Sequence, residues 1–246
     1  MRPGGYETVE TITIGREERV FVLTGAGISA ESGLPTFRAA DGLWAGNRIE
    51  EVCTPEAWRR DPWRVWEFYA ARRAAGAKAV PNAAHMALAE LEALLGSRFF
   101  LCTQNVDDLH KRAGSKRLLH MHGELNKARC ERECGRAPVD DRGIYHSLDE
   151  VGRCPCGGRM RPHIVFFGET PLEMERIERE IQKTSLMVVV GTSGSVYPAA
   201  NFVHWARMNG ARAVYVGPED PLNASAFTRV VEGRAGEALP GLFVAE

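Results

Sequence analysis

Residues 19–38 read RVFVLTGAGISAESGLPTFR, and this stretch decides the fold. Val20, Phe21, Val22 and Leu23 make a short continuous apolar run, the pattern of a parallel strand covered on both faces. Gly25, Gly27 and Ala30 follow as G-x-G-x-x-A, enclosing Ala26 and Ser29; such glycines permit a tight turn and close approach of backbone to a pyrophosphate. The turn therefore predicts a bound nucleotide. A full helix would ordinarily come next, yet Gly33 and Pro35 interrupt within about two turns, because proline lacks an N–H and clashes with the preceding turn. A loop carrying Thr36, Phe37 and Arg38 beside the nucleotide is expected instead.

Further apolar runs at 99–103, 118–121, 186–191 and 213–216 each end in a polar or glycine-containing turn. Helical patterns lie between them, as at 83–95 and 198–208. The alternation predicts an α/β fold with a parallel sheet, and ligands of such sheets sit beyond the carboxyl ends of the strands. The residues just after the runs should then face one crevice: Gly25 to Ser29, Gln104 to Asp107, His122, Gly191 to Ser193, and Gly217.

The chain of 246 residues, with 44% hydrophobic content, is long enough for one main domain and a small insert. A net charge of -1 gives no global pull towards nucleic acid or an anionic membrane, and nucleic acid is not expected as a ligand. No apolar run approaches the ~20 residues of a membrane helix, and residues 1–18 lack a signal-peptide core, so a cytoplasmic protein is expected. Its six cysteines are then thiols or metal ligands rather than disulfides.

Four of them come in two pairs, Cys130 with Cys134 and Cys154 with Cys156. Thiolates on two short knuckles suit a closed tetrahedral zinc that stabilises a segment with little core of its own. The spacing is C-x3-C and C-x-C, and one intervening residue makes it harder for both thiolates to reach a single ion. His146 is a possible substitute ligand, although a solvated loop histidine is the plainer reading. Cys53 and Cys102 stand alone and read as packing residues.

His120 and His122 flank Met121, and residues two apart on a strand share a face, so spacing does not choose between them. The glycine after His122 and its place at the end of the run favour His122 at the crevice. His85, His110, His163 and His204 read as packing or surface histidines. Asn105 and Asp107 could form a turn or cap a helix, but their place in Q-N-V-D after a strand points to function. On the apparent helix 62–75, Tyr69 and Arg72 stand at i and i+3, a phenol and a guanidinium on one face.

Taken in order, GAGISAESGLPTFR, TQNVDDLHKRAG at 103–114, His122-Gly123, the cysteine quartet, RPHIVFFGE at 161–169, and Gly191-Thr192-Ser193 closely resemble the sirtuins, NAD-dependent protein-lysine deacylases, over nearly the whole chain. The resemblance implies a Rossmann-like NAD-binding domain from 1–45, 84–123 and 168–246. It also implies a small domain made of a helical module, 46–83, and a zinc-binding segment, 124–167. NAD would contact Gly25, Ala26, Gly27, Ser29, Ala30, Thr36, Phe37, Arg38, Trp44, Gln104, Asn105, Val106, Asp107, Gly191, Thr192, Ser193, Gly217 and Ala235. Asn105 and His122 would be catalytic, His122 as general base after the acyl oxygen attacks the ribose, giving free lysine, nicotinamide and O-acyl-ADP-ribose. An acyl-lysine peptide would pair by strand addition between Val165, Phe166, Phe167 and Gly168 on one side and Val196 and Tyr197 on the other.

Two marks are similar to the class III sirtuins, which remove succinyl, malonyl and related acidic groups: the Tyr69-x-x-Arg72 pair, and Thr36 where many sirtuins carry Asp. The resemblance thus implies acidic-acyl removal, with acetyl removal besides. Gly217 departs from it, because sirtuins usually have Asn there. That loss should weaken a hydrogen bond to the adenosine ribose, leaving Pro218, Glu219 and backbone to compensate, while Ala235 is expected near adenine.

Three other functions compete. A conventional NAD-dependent oxidoreductase would show the same glycine turn and a zinc, but needs a hydride acceptor and usually an acidic residue after its second strand. It would make NADH, where a deacylase frees nicotinamide. A non-catalytic NAD-sensing module could dispense with His122 and Asn105. Mono-ADP-ribosyl transfer would share the first half of the chemistry, and would add mass to a target protein.

Overall fold

The computed structural model describes residues 10–36, 43–44 and 46–246, except for the side chains of Leu43 and Trp44. Six parallel strands form the main sheet in the order Arg229–Glu232, Arg212–Gly217, Leu186–Val190, Val20–Thr24, Phe99–Thr103, Leu118–His120. Every residue of Val20–Thr24, Phe99–Thr103 and Leu186–Val190 is buried. That is why these strands read as unbroken apolar runs rather than alternating ones.

Residues alternate between two cores, one on each sheet face. Val22, Leu101, Val188 and Val214 lie on one, packed with Leu88 and Leu91 of the helix Ala83–Leu95 and with Ala238 of Ala235–Ala238. Phe21, Phe100, Met187 and Tyr215 lie on the other, packed with Ile177 of Met174–Gln182 and Phe202 of Phe202–Met208. Each fully buried Val, Leu or Phe stabilises the fold by roughly 1.5–3 kcal/mol, so these clusters dominate its energetics.

Helix Ala83–Leu95 has the bounds its sequence pattern suggests. Asn82 caps it, accepting from Ala84 N at 3.0 Å. The same side chain donates to Ile28 O at 2.8 Å, tying the helix start to the glycine turn. The pattern over 198–208 resolves differently, into a 3-10 turn Ala199–Asn201 followed by helix Phe202–Met208. The helix expected at 62–75 runs on as Pro62–Lys78, because Gly76 is buried rather than fraying into solvent. The runs at 118–121 and 186–191 stop one residue short, at His120 and Val190.

A third core joins Val52, Trp58, Val65, Trp66 and Tyr69 to Leu125, Ala128, Ile164 and Phe166. Its strands form a small antiparallel sheet, Val139–Asp140, Gly123–Cys130 and Met160–Ile164, in that order. Arg73 holds helix and sheet together: its Nε donates to Leu125 O at 3.1 Å, and its guanidinium pairs with buried Asp141 at 3.2 Å. Among the described residues no helix is long and apolar enough to cross a membrane.

Candidate functional site

The sheet reverses its strand order between Val20–Thr24 and Leu186–Val190, and the two loops leaving these strands touch. Gly25 N donates to Val190 O at 2.9 Å, and Gly27 N to Gly191 O at 2.8 Å. A Cβ on Gly27 would stand 2.7 Å from Gly191 Cα, and one on Gly191, whose φ is +61°, would stand 2.5 Å from Ile28 N. Glycine is required here by close approach, as in dinucleotide turns. The segment after Gly25 is a 3-10 turn, Ala26–Ser32, closed by Gly33 at φ +83°, so the interruption expected from Gly33 and Pro35 is present.

A cavity of about 650 Å³ opens over this switch point, between the sheet and the third core. Gly25, Ala26, Gly27, Ser29 and Thr36 border it from the glycine turn, Gln104 to Asp107 from the strand Phe99–Thr103, and Gly191 to Ser193 from the strand Leu186–Val190. Ala30 is exposed and off the wall, since the 3-10 turn carries it outward. Ala235 is also off the wall: it is packed in the core at the start of its short helix, whose Gly236 N donates to Glu31 at 2.7 Å. Phe37 and Arg38 lie outside the described residues, as does the side chain of Trp44.

The floor is a chain of polar contacts. Asn105 Nδ2 donates to Ser29 Oγ at 3.1 Å, and Ser29 Oγ donates to Asp107 Oδ2 at 3.1 Å. Leu109 N donates to the other carboxylate oxygen of Asp107 at 3.1 Å. Burial nevertheless raises the Asp107 pKa, with these hydrogen bonds opposing it. Gln104 Nε2 donates to Thr192 Oγ1 at 3.2 Å, linking the two loops across the switch point.

Both histidines flanking Met121 bond through Nδ1 to a backbone carbonyl, His122 to Gln104 O at 3.1 Å and His120 to Asn105 O at 3.0 Å. A carbonyl only accepts, so Nδ1 carries the proton and Nε2 the lone pair. Of the two, only His122 borders the cavity; His120 is buried, its Nε2 without a hydrogen-bond partner. Burial lowers the pKa of His122 below the ordinary histidine value, and the Gln104 bond opposes that shift.

Arg72, Ala75 and Leu125 border the cavity from the third core, as do Val165, Phe166, Phe167 and Gly168, with Val196 and Tyr197 opposite. Arg72 stacks over the Phe68 ring at 3.7 Å and donates to Phe68 O at 3.4 Å. Tyr69 is fully buried and off the wall; its ring stacks near Phe166 at 6.3 Å and its hydroxyl donates to Cys53 Sγ at 3.0 Å. Helical spacing puts Tyr69 and Arg72 on one face, but packing against Phe166 turns the phenol inward. Cys53, expected to be simple packing, is buried yet borders the cavity.

The four paired cysteines converge, with all Sγ atoms within 4.8 Å of one another; Cys130 and Cys156 lie 3.4 Å apart, Cys134 and Cys154 3.6 Å. A tetrahedral ion with sulfurs at about 2.3 Å has S–S edges of roughly 3.8 Å, so the quartet suits a structural zinc despite its short knuckle. His146 is not part of this cluster. Residues that sequence motifs did not single out also border the cavity, among them Tyr215 and Asp220. Gly217 is off the wall, and Tyr215 stands in its place; the signal in the sequence is a glycine at a strand end where no turn demands one.

The Sir2 family model matches residues 25–198, from the glycine turn through Pro198. An NAD-dependent protein deacylase of Caulobacter vibrioides is 51% identical over 225 residues, covering 90% of this chain and 94% of the relative. The crystal structure of a Sir2 homolog–NAD complex superposes with a TM-score of 0.82 at 39% identity, covering 91% of this chain and 87% of that one. A Sir2–p53 peptide–NAD+ structure gives a TM-score of 0.77 at 30% identity over 92% of each chain. With glycine turn, histidine and cysteine quartet all placed in one such frame, the chain belongs to the Sir2 family.

Proposed function

We propose that this protein removes acidic acyl groups, succinyl and malonyl, from lysine side chains, and acetyl groups besides. The underlying reaction is NAD-dependent protein deacylation, with NAD as co-substrate and the four-cysteine cluster as the seat of a structural zinc. The observation that carries the acyl preference is Arg72, which borders the same cavity as His122 and the glycine turn. A guanidinium there can hold a terminal carboxylate by charge-assisted, bidentate hydrogen bonds, which an acetyl group does not offer. Tyr69 supports this indirectly, through Cys53 on the wall.

The other roles follow from placement. The glycine turn, bare of side chains at Gly25 and Gly27, lets the pyrophosphate approach its backbone closely, and Asn105, held by Ser29, orients the nicotinamide ribose and its carboxamide. His122 Nε2 takes a proton, by way of the ribose hydroxyls, once the acyl oxygen has displaced nicotinamide from the anomeric carbon. The acyl-lysine peptide adds as a strand between 165–168 and 196–197, where Phe167 and Tyr197 are 41% and 68% exposed. The helical module 46–83 and segment 124–167 act as one small domain, and the setting is the cytoplasm, where the six thiols stay reduced.

The test is one lysine peptide carrying succinyl, malonyl or acetyl groups, incubated with NAD and followed by mass spectrometry. Acidic groups should leave at least as fast as acetyl, with nicotinamide released in step. Cleavage of acetyl alone would overturn the acyl preference and leave the deacylase standing.

A further inference from the structure

Tyr215 and Gly217 lie two residues apart on the strand Arg212–Gly217 and so share one face. Tyr215 is 3% exposed, with its ring 5.4 Å from that of Phe227 and its hydroxyl donating to Thr192 O at 3.2 Å. A Cβ on Gly217 would stand 2.4 Å from that phenolic oxygen. The backbone at 217 does not demand glycine, since its φ is not in the left-handed range. What excludes a side chain there is the phenol, which occupies that volume.

The position of this oxygen within the sheet gives it a role. The strand order sets Phe99–Thr103 on one flank of the switch point and Arg212–Gly217 on the other. A dinucleotide with its pyrophosphate on the glycine turn straddles that point, one nucleoside over each flank. His122, Asn105 and Asp107 belong to the first flank, so the adenosine half lies over the second. There Tyr215, Glu219 and Asp220 border the cavity, and all present oxygen acceptors. The phenol has given its proton to Thr192 O, and its lone pairs remain for a donor from the ligand. Neutral ribose hydroxyls are such donors; burial and the two carboxylates keep the phenol protonated.

We propose that Tyr215 recognises the adenosine ribose of NAD, its phenolic oxygen accepting a hydrogen bond from a ribose hydroxyl and replacing any side chain at position 217. This rests on placing the pyrophosphate at the glycine turn, and is independent of the acyl preference.

The experiment is calorimetric titration of ADP-ribose and its 2′-deoxyadenosine and 3′-deoxyadenosine analogues into wild type, Tyr215→Phe, Gly217→Asn and the double variant Tyr215→Ala/Gly217→Asn, with thermal melts confirming the fold. Wild type should bind one deoxy analogue about 3- to 10-fold more weakly than ADP-ribose, the range of a single neutral hydrogen bond. Tyr215→Phe should lose affinity for ADP-ribose by the same factor and no longer distinguish that analogue. Gly217→Asn should cost more when Tyr215 is present than when it is replaced by alanine, because only then does the new side chain meet the phenol. Equal discrimination by wild type and Tyr215→Phe would overturn the proposal, since the ribose would be held elsewhere. If Tyr215→Phe instead weakened nicotinamide inhibition and left adenosine discrimination intact, the placement of the dinucleotide would have failed rather than the hydrogen bond.

Discussion

His122 Nδ1 lies 3.1 Å from the carbonyl oxygen of Gln104, and that single contact sets the protonation pattern of the ring. The proton is held at Nδ1, the Nε2 lone pair is left to act, and the carbonyl belongs to a residue that itself borders the cavity. The ends of two neighbouring strands, Phe99–Thr103 and Leu118–His120, thus place Gln104 and His122 together at the cavity.

Replacing His122 by alanine should cut acyl removal by ~10² or more while sparing NAD binding, since the base acts after the nucleotide is in place. Titration of kcat/KM with pH should show an acid limb below the ordinary histidine value of about 6.5, because burial lowers this pKa. Near-normal turnover in the variant would remove His122 from the mechanism.

Chelation should release about one zinc per chain and unfold the small antiparallel sheet, whose folding the metal stabilises. Trp58 gives the readout: its indole donates to Glu131 at 3.1 Å, next to Cys130, and Arg159 lies over its ring at 5.6 Å. Its fluorescence should change as zinc leaves. Full activity in metal-free protein would show that the quartet needs no ion.

Acid should destabilise the fold well above the range where carboxylates titrate. Burial lowers the pKa of His85, His110, His120, His122 and His163, to about 4 for His85 and His163. A lowered histidine pKa means the unfolded chain binds the proton first. Stability is then full above about 6.5 and falls as pH drops towards 4, by roughly 1.4 kcal/mol per pH unit for each such proton. His85 and His110 have ring centroids 4.8 Å apart beneath the glycine turn. Replacing both with glutamine should make the melting temperature fall less steeply between about pH 6.5 and 4, with His120, His122 and His163 still contributing; an unchanged slope would assign the effect to other groups.

The central sheet was legible because strands buried on both faces leave continuous apolar runs, and Phe99–Thr103 was readable to the residue. The edge strand Arg229–Glu232 was not, since only Val231 is buried and nothing periodic marks it. The pairing of Ile12–Ile14 with Phe243–Ala245 joins opposite ends of the chain, which no local pattern records. Motif residues of the glycine turn, Gln104 to Asp107 and His122 were legible because their chemistry is local. Tyr69 and Tyr215 were not: helical or strand spacing fixes a face, whereas the direction of each phenol depends on what packs above it, Phe166 and Cys53 for one, Phe227 and Gly217 for the other.

Arg72→Met should separate the acyl groups. The guanidinium stacks on Phe68 at 3.7 Å at the cavity wall, and a methionine keeps most of that apolar contact while deleting the charge. A hydrogen bond to a charged group contributes about 1.5–3 kcal/mol net, and an unpaired buried carboxylate costs at least as much again. Since about 1.4 kcal/mol is tenfold, succinyl-lysine cleavage should fall by ~10² or more in kcat/KM. Acetyl-lysine makes no such contact, so its cleavage should persist or improve. Tyr69→Phe offers a graded comparison: its hydroxyl is committed to Cys53 Sγ, so its loss should cost succinyl cleavage less than loss of Arg72 does. Equal falls on both peptides with Arg72→Met would make Arg72 a structural residue and end the acidic-acyl reading.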